Sequence, residues 1–304
     1  LTACWAIGLL VSFGMVQWGF GSHVNVVQGP GGFWTDLYLS GTTLFTLGIG
    51  DVTPMGATAR VITVVEAGVG FGFLALVIGY LPVLYQGFSR REVNISLLDA
   101  RAGSPPTAGE LLVRQARDMA GLEGLLRDWE RWAAELMESH LSYPMLLFFR
   151  SQHEHQSWLG ALTAILDASA ICIVGVQGGP GRQAQLTFAM ARHAVVDISQ
   201  AAHANPRSPD PDRLPPEDFR SLVSHLAQNN VKLKDAAMAE STLSSLRALY
   251  EPYVAAMAAR LRLTLPPWRA PEDERDAWRT SKWDSGTSGI TGISSHDLGD
   301  HPRL

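Results

Sequence analysis

Two apolar runs constrain this chain more than anything else in it. Residues 1–20 carry no Asp, Glu, Lys or Arg, and residues 61–85 carry one, Glu66. About 20 apolar residues suffice for a helix to cross a hydrocarbon core of ~30 Å. Lipid offers no partner for backbone N–H and C=O groups, so such a run crosses as a helix. Trp5 and Trp18 lie near the two ends of the first run, where interfacial aromatics belong. That run lacks the basic start and small-residue cleavage site of a signal peptide. The sequence starts at Leu1, inside an apolar run and without Met, which reads as a truncated or processed N-terminus with room for helices upstream.

Between the runs the chain is short and patterned. Residues 21–32 read as a polar, glycine-rich loop. Residues 33–45 are too short to span and read as a re-entrant helix. Then comes Thr43-Leu44-Phe45-Thr46-Leu47-Gly48-Ile49-Gly50-Asp51, with the spacing T-x-x-T-x-G-x-G. A Gly/Thr segment followed by Asp and Pro is ordinarily a turn, but here it sits between two membrane-length runs. An ion that sheds its water to pass single file needs replacement oxygens, and successive backbone carbonyls can supply them. Pointing several carbonyls one way requires alternating backbone geometry with positive φ, which glycine adopts cheaply.

The arrangement resembles the two-span, pore-loop type of the potassium-channel superfamily: outer helix 1–20, pore helix 33–45, filter 46–51 and inner helix 58–86. The resemblance covers residues 1–90, less than a third of the chain. It implies potassium bound by the carbonyls of Thr46, Leu47, Gly48 and Ile49 and the Thr46 hydroxyl, with Gly50 completing the filter. Leu47 and Ile49 then turn their side chains into the protein behind it. Thr43, Asp51 and Glu66 are the expected filter supports. An acid inside a span is costly and marks function. Glu66 is read as a strut beside the pore helix, with a cavity-lining position as the alternative. Gly70, its near neighbour Gly72 and Pro82 are the gating-hinge candidates. The competing reading of these glycines is close helix packing, and Pro82 would kink the helix.

One filter motif per chain implies a homotetramer. Arg90 and Arg91 follow the inner helix, so that end is expected in the cytoplasm, with Arg60 weakening the bias slightly. The resemblance thus implies a multi-pass protein of a bacterial inner or plasma membrane that conducts potassium and is no enzyme, with no cofactor beyond the permeant ion. Ile49 replaces the usual aromatic, which leaves a weakly selective cation channel as an alternative. A membrane-anchored, non-conducting helical sensor or scaffold is another.

The fold expected for the whole is all-α. A linker at 91–106, broken by Gly103-Ser104-Pro105-Pro106, leads to a helical cytoplasmic domain at 107–283 and a disordered tail at 284–304. An apolar stripe through Leu112, Ala116, Met119, Leu122, Leu126, Trp129, Ala133 and Leu136 predicts one helix over 111–138. Residues 141–149 are a short apolar segment containing Pro144. Residues 157–176 are apolar but carry Asp167, and read as a buried helix of the domain, not a third span. Further helices are expected at 182–203, 216–226 and 233–263.

Several features invite functional readings that fail. Gly175-Val176-Gln177-Gly178-Gly179-Pro180-Gly181 lacks the order of a dinucleotide fingerprint and has no strand–helix alternation around it, so it reads as an interhelical loop. His153 and His155, with Glu154 and His140 nearby, have no ligand spacing and read as surface polarity. Cys4 and Cys172 are not expected to pair. A net charge of −5 without a basic cluster gives no reason to expect nucleic acid. No nucleophile–base pair or phosphate loop is visible, and nothing names a ligand or partner for the helical domain.

Overall fold

The computed structural model describes residues 2–26, 31–152 and 156–270. His153, Glu154, His155 and the expected tail at 284–304 lie outside them. The chain divides into two compact units, Leu1–Gln86 and Gly87–Leu304. Among the described residues its elements are helical apart from two three-residue strands.

In the first unit, α1 (Thr2–Gly19), α2 (Phe33–Leu44) and the start of α3 (Gly56–Ala102) are the three helices that the sequence implies. Both apolar runs expose most of their side chains on the single chain, among them Trp5, Trp18, Phe71 and Ile78. Contacts within the unit include buried and partly buried hydrogen bonds. Gln17 donates to the Thr63 hydroxyl at 3.1 Å, and Ser40 donates to the Leu10 carbonyl at 2.8 Å. Gly14 meets α2 so closely that a Cβ would sit 3.0 Å from the Leu37 Cα. The loop after α1 and the chain beyond the filter form a ribbon that the sequence reading lacked. Strand β1 (Val24–Val26) pairs antiparallel with β2 (Val52–Pro54), with Asn25 opposite Thr53.

The expected linker at 91–106 is corrected. Helix α3 continues to Ala102, because Ile95, Leu98 and Ala102 recur at helical spacing and are buried in the core of the second unit. The break comes at Gly103, whose φ is +85°. The single helix expected over 111–138 is two, α4 (Ala108–Arg114) and α5 (Met119–Ser142). Each starts with its own cap: Thr107 accepts from the Glu110 N–H at 3.2 Å, and Asp118 from the Gly121 N–H at 2.8 Å.

Helix α6 (Trp158–Gly175) is the axis of the second unit, and every residue from Trp158 to Cys172 is buried. It packs on α7 (Gly181–Ala201), which packs in turn on α5. Around them lie α8 (Pro216–Gln228), α9 (Ala236–Arg247) and α10 (Glu251–Leu261). The helix expected over 233–263 thus breaks in two at residues 248–250, with Pro252 in the first turn of α10. Gly175–Gly181 is the turn between α6 and α7. A short 3₁₀ turn, Pro144–Phe148, follows α5.

Candidate functional site

The chain between α2 and β2 has the backbone alternation that a carbonyl-lined path needs. Thr46, Gly48 and Gly50 have φ of +59°, +54° and +85°, whereas Leu47 and Ile49 keep negative φ. A Cβ on Gly48 or Gly50 would meet nothing within 4 Å, so the demand for glycine there is conformational and not spatial. Thr46 adopts the same region as a β-branched residue, which marks local strain.

The end of α2 holds this segment. The Thr42 carbonyl accepts from both the Leu47 N–H at 2.7 Å and the Gly48 N–H at 3.2 Å, and the Thr43 carbonyl from the Thr46 N–H at 3.0 Å. Thr43 therefore contributes through its backbone. On the far side, the Tyr38 hydroxyl donates to Asp51 Oδ2 at 3.0 Å, tying α2 to the end of the segment. Asp51 Oδ1 also accepts from the Val52 N–H at 3.1 Å. The Leu47 and Ile49 side chains, expected behind the filter, are exposed on the single chain.

Glu66 is fully buried and meets the Ser40 hydroxyl of α2. That hydroxyl also reaches the Leu10 carbonyl, and its single hydrogen serves one of the two acceptors at a time. Oε2 of Glu66 has no hydrogen-bond partner among the described residues. The carboxyl thus lies between the inner and pore helices. At the other end of α2, Ser22 meets the buried Asp36. Gly70 lies against the end of α2, where a Cβ would come within 3.0 Å of the Leu44 Cα, so close packing is its evident requirement. A Cβ on Gly72 would meet nothing within 4 Å, and Pro82 lies within α3 without ending it.

Tyr38, Ser40, Thr42, Asp36 and Gln17 are the contributors that sequence reasoning missed. A weak signal existed for some: Asp36 and Ser40 are polar groups four residues apart, on one face of a short helix between two apolar runs.

The second unit contains two buried charged clusters. In one, Arg213 bridges Asp167 at 2.6 Å and Glu251 at 2.9 Å. Tyr250 donates to Asp167, and Arg247 pairs with Glu251 at 3.0 Å and with Asp212. Burial pulls the Arg213 guanidinium down, but the Asp167 carboxylate beside it holds it above its usual range. A cleft of about 120 Å³ opens beside Arg247, lined by Asp212, Phe219, Glu240 and Leu243. In the other cluster, Arg91 reaches His140 at 3.3 Å and the Leu146 and Phe149 carbonyls at 3.0 and 2.7 Å. His140 is a buried residue and not surface polarity. Desolvation, and then the Arg91 charge, push its pKa down to about 3. Among the described residues no three His, Cys, Asp or Glu side chains converge on a metal position.

Residues 6–86 match the family model described as ion channel. The chain is 28% identical over 192 residues to "Uncharacterized membrane protein YdjJ" of Bacillus subtilis (strain 168), an alignment covering 59% of this chain and 54% of the relative. The chain thus spans about half the length of the curated relative it matches. No solved structure matches. The two-span, pore-loop module read from the sequence thus coincides with the stretch that is similar to the ion-channel family, in an all-α chain.

Proposed function

We propose that four copies of this ion-channel pore assemble into a potassium-selective channel. The observation that carries the reading is the alternation of positive φ at Thr46, Gly48 and Gly50. Such a backbone turns successive carbonyls toward one path, and four chains around an axis close that path into a ring of oxygens. One segment per chain supports the fourfold assembly. Neighbouring chains would cover Leu47 and Ile49, which are exposed on the single chain. The partial negative charge at the C-terminal ends of four α2 helices favours a cation in the cavity they face.

The supports act as a frame in this reading. Thr42 and Thr43 hold the filter from within, Tyr38 with Asp51 from outside, and Glu66 with Ser40 from behind. Ile49 cannot make the hydrogen bond of an aromatic, but the Tyr38–Asp51 bond joins pore helix and filter by another route. That bond favours potassium selectivity over the weakly selective alternative. Arg90 and Arg91 after the span support a cytoplasmic second unit by the positive-inside rule. Helix α3, shared by both units, carries the state of that unit to the inner helix. Gly72, Pro82 and, within its packing limits, Gly70 are where the inner helix would bend.

The test is reconstitution of the full chain in liposomes under a potassium gradient. The expected reversal potential follows potassium and not sodium. Gly48→Ala and Gly50→Ala each abolish the flux while leaving tetramers in the membrane, since alanine at positive φ costs about 1–2 kcal/mol per residue in each of four chains. Normal potassium current through either variant would overturn the assignment.

A further inference from the structure

The 3₁₀ turn Pro144–Phe148 sits at a constrained place in the chain. Arg91, itself buried, clasps it with hydrogen bonds to the Leu146 and Phe149 carbonyls at 3.0 and 2.7 Å. The turn lies so near α3 that a Cβ on Gly87 would be 3.1 Å from Leu146 Cδ1. The Phe88 and Phe149 rings meet with centroids 6.0 Å apart. The turn therefore rests on residues 87–91, directly after the apolar run that ends at Tyr85. At 1.5 Å rise per helical residue, Gly87 is about 3 Å and Arg91 about 9 Å beyond Tyr85.

Leu146 and Leu147 face inward and are buried, but the outer surface of the same segment is apolar as well. Leu141, Met145, Phe148 and Phe149 are 38%, 42%, 61% and 42% exposed. Arg150 directly follows them in the chain and is exposed, with its guanidinium 3.5 and 3.4 Å from the Leu261 and Arg262 carbonyls, and Arg90 of α3 is exposed as well. Exposed acids nearby on α5 are Glu135 and Glu138, and Glu138 accepts from Ser142 at 3.1 Å. Apolar and aromatic side chains on a turn held to α3 just past the end of a span, with exposed Arg150 next in the chain and exposed Arg90 on α3, fit the boundary between acyl chains and anionic headgroups. Four side chains fall well short of the roughly 20–30 residues a side in a stable protein interface.

We propose that Leu141, Met145, Phe148 and Phe149 form a lipid-facing wedge that sits in the headgroup boundary of the bilayer beside the inner end of α3, with Arg90 and Arg150 meeting anionic headgroups. Arg91 sets the height of the wedge by fixing the turn to α3. The wedge thereby anchors the second unit to the membrane surface as well as to the spanning helix.

The experiment uses the full chain with Cys4→Ser, reconstituted in phosphatidylethanolamine–phosphatidylglycerol vesicles. Phe148→Cys and Met145→Cys each receive an environment-sensitive fluorophore. Met238→Cys on α9, where Met238 is 66% exposed, is the control. Expected are a blue-shifted emission at 145 and 148 and at least twofold quenching by lipids spin-labelled near the headgroup, with neither at 238. The quenching weakens when phosphatidylglycerol is replaced by a neutral lipid. Emission at 145 and 148 that ignores spin-labelled lipid overturns the proposal. If it is also blue-shifted and 148 cross-links between chains, a second copy covers the face. None of these readings depends on ion flux, so they stand apart from the selectivity of the pore.

Discussion

At the scale of single residues, the backbone geometry of residues 46–50 was legible because its requirement is local. Positive φ at Gly48 and Gly50 is a demand that sequence alone displays. Tyr38, Ser40 and Gln17 were not legible, because a hydroxyl or amide shows its partner only after folding. Glu66 lay between: its cost in a span flagged it, and only the fold put it against Ser40. From that position, Glu66→Gln is expected to alter filter stability, read as faster or slower inactivation, while unitary conductance changes little. A large fall in unitary current or in block by internal cations would instead mean that Glu66 lines the cavity. His140 carries a pH dependence. Its pKa of about 3 in the fold lies below the ordinary 6.5, so the unfolded chain takes up a proton first as the pH falls. Stability should therefore be fully present above pH ~6.5 and decline by up to about 1.4 kcal/mol per pH unit down to pH ~3. His140→Asn, which takes up no proton, should flatten that part of an acid-unfolding curve followed by tryptophan fluorescence.

At the scale of elements, three helices of the pore module and most helices of the second unit follow from periodicity. The errors fall at boundaries. Residues 91–102 looked like a linker because Arg91, Glu92, Asp99 and Arg101 interrupt the apolar pattern, although the first three of these are buried beside Ile95, Leu98 and Ala102. Residues 111–138 looked continuous because the apolar stripe resumes after a short break between two capped helices. The β1–β2 ribbon is too short for alternation to announce it. Between elements, the Arg213 cluster joins α6, α10 and the chain before α8 through groups that are almost wholly buried. Removing one partner leaves Asp167 and Glu251 desolvated without their cation. Arg213→Ala is expected to destabilise the second unit by about 3–5 kcal/mol, visible as a lowered urea midpoint of the intact chain in detergent. A midpoint within experimental error of the parent would show that the cluster is not a stabilising one.

At the scale of the whole molecule, the two units use apolar residues in opposite ways. The spans of the first turn theirs outward and leave them exposed on the single chain, whereas α6 of the second is enclosed by its own domain. Composition alone cannot separate these fates, since α6 is long and apolar enough to cross a membrane. Asp167, near its midpoint, has a consequence that precedes folding. While the chain is being synthesised, α6 emerges before α7, α8 and α10 exist to cover it, and the insertion machinery meets a third candidate for partitioning into lipid. An aspartate at the centre of such a segment costs about 2.5–3.5 kcal/mol on the insertion scale, enough to keep most chains from taking that route. Asp167→Leu removes this brake. The expected result is a mixed population in which a reporter fused after Leu304 appears on both sides of the membrane, whereas the parent chain places it on one. The same carboxylate that Arg213 later pairs would thus have decided, during translation, on which side of the membrane the rest of the protein is made.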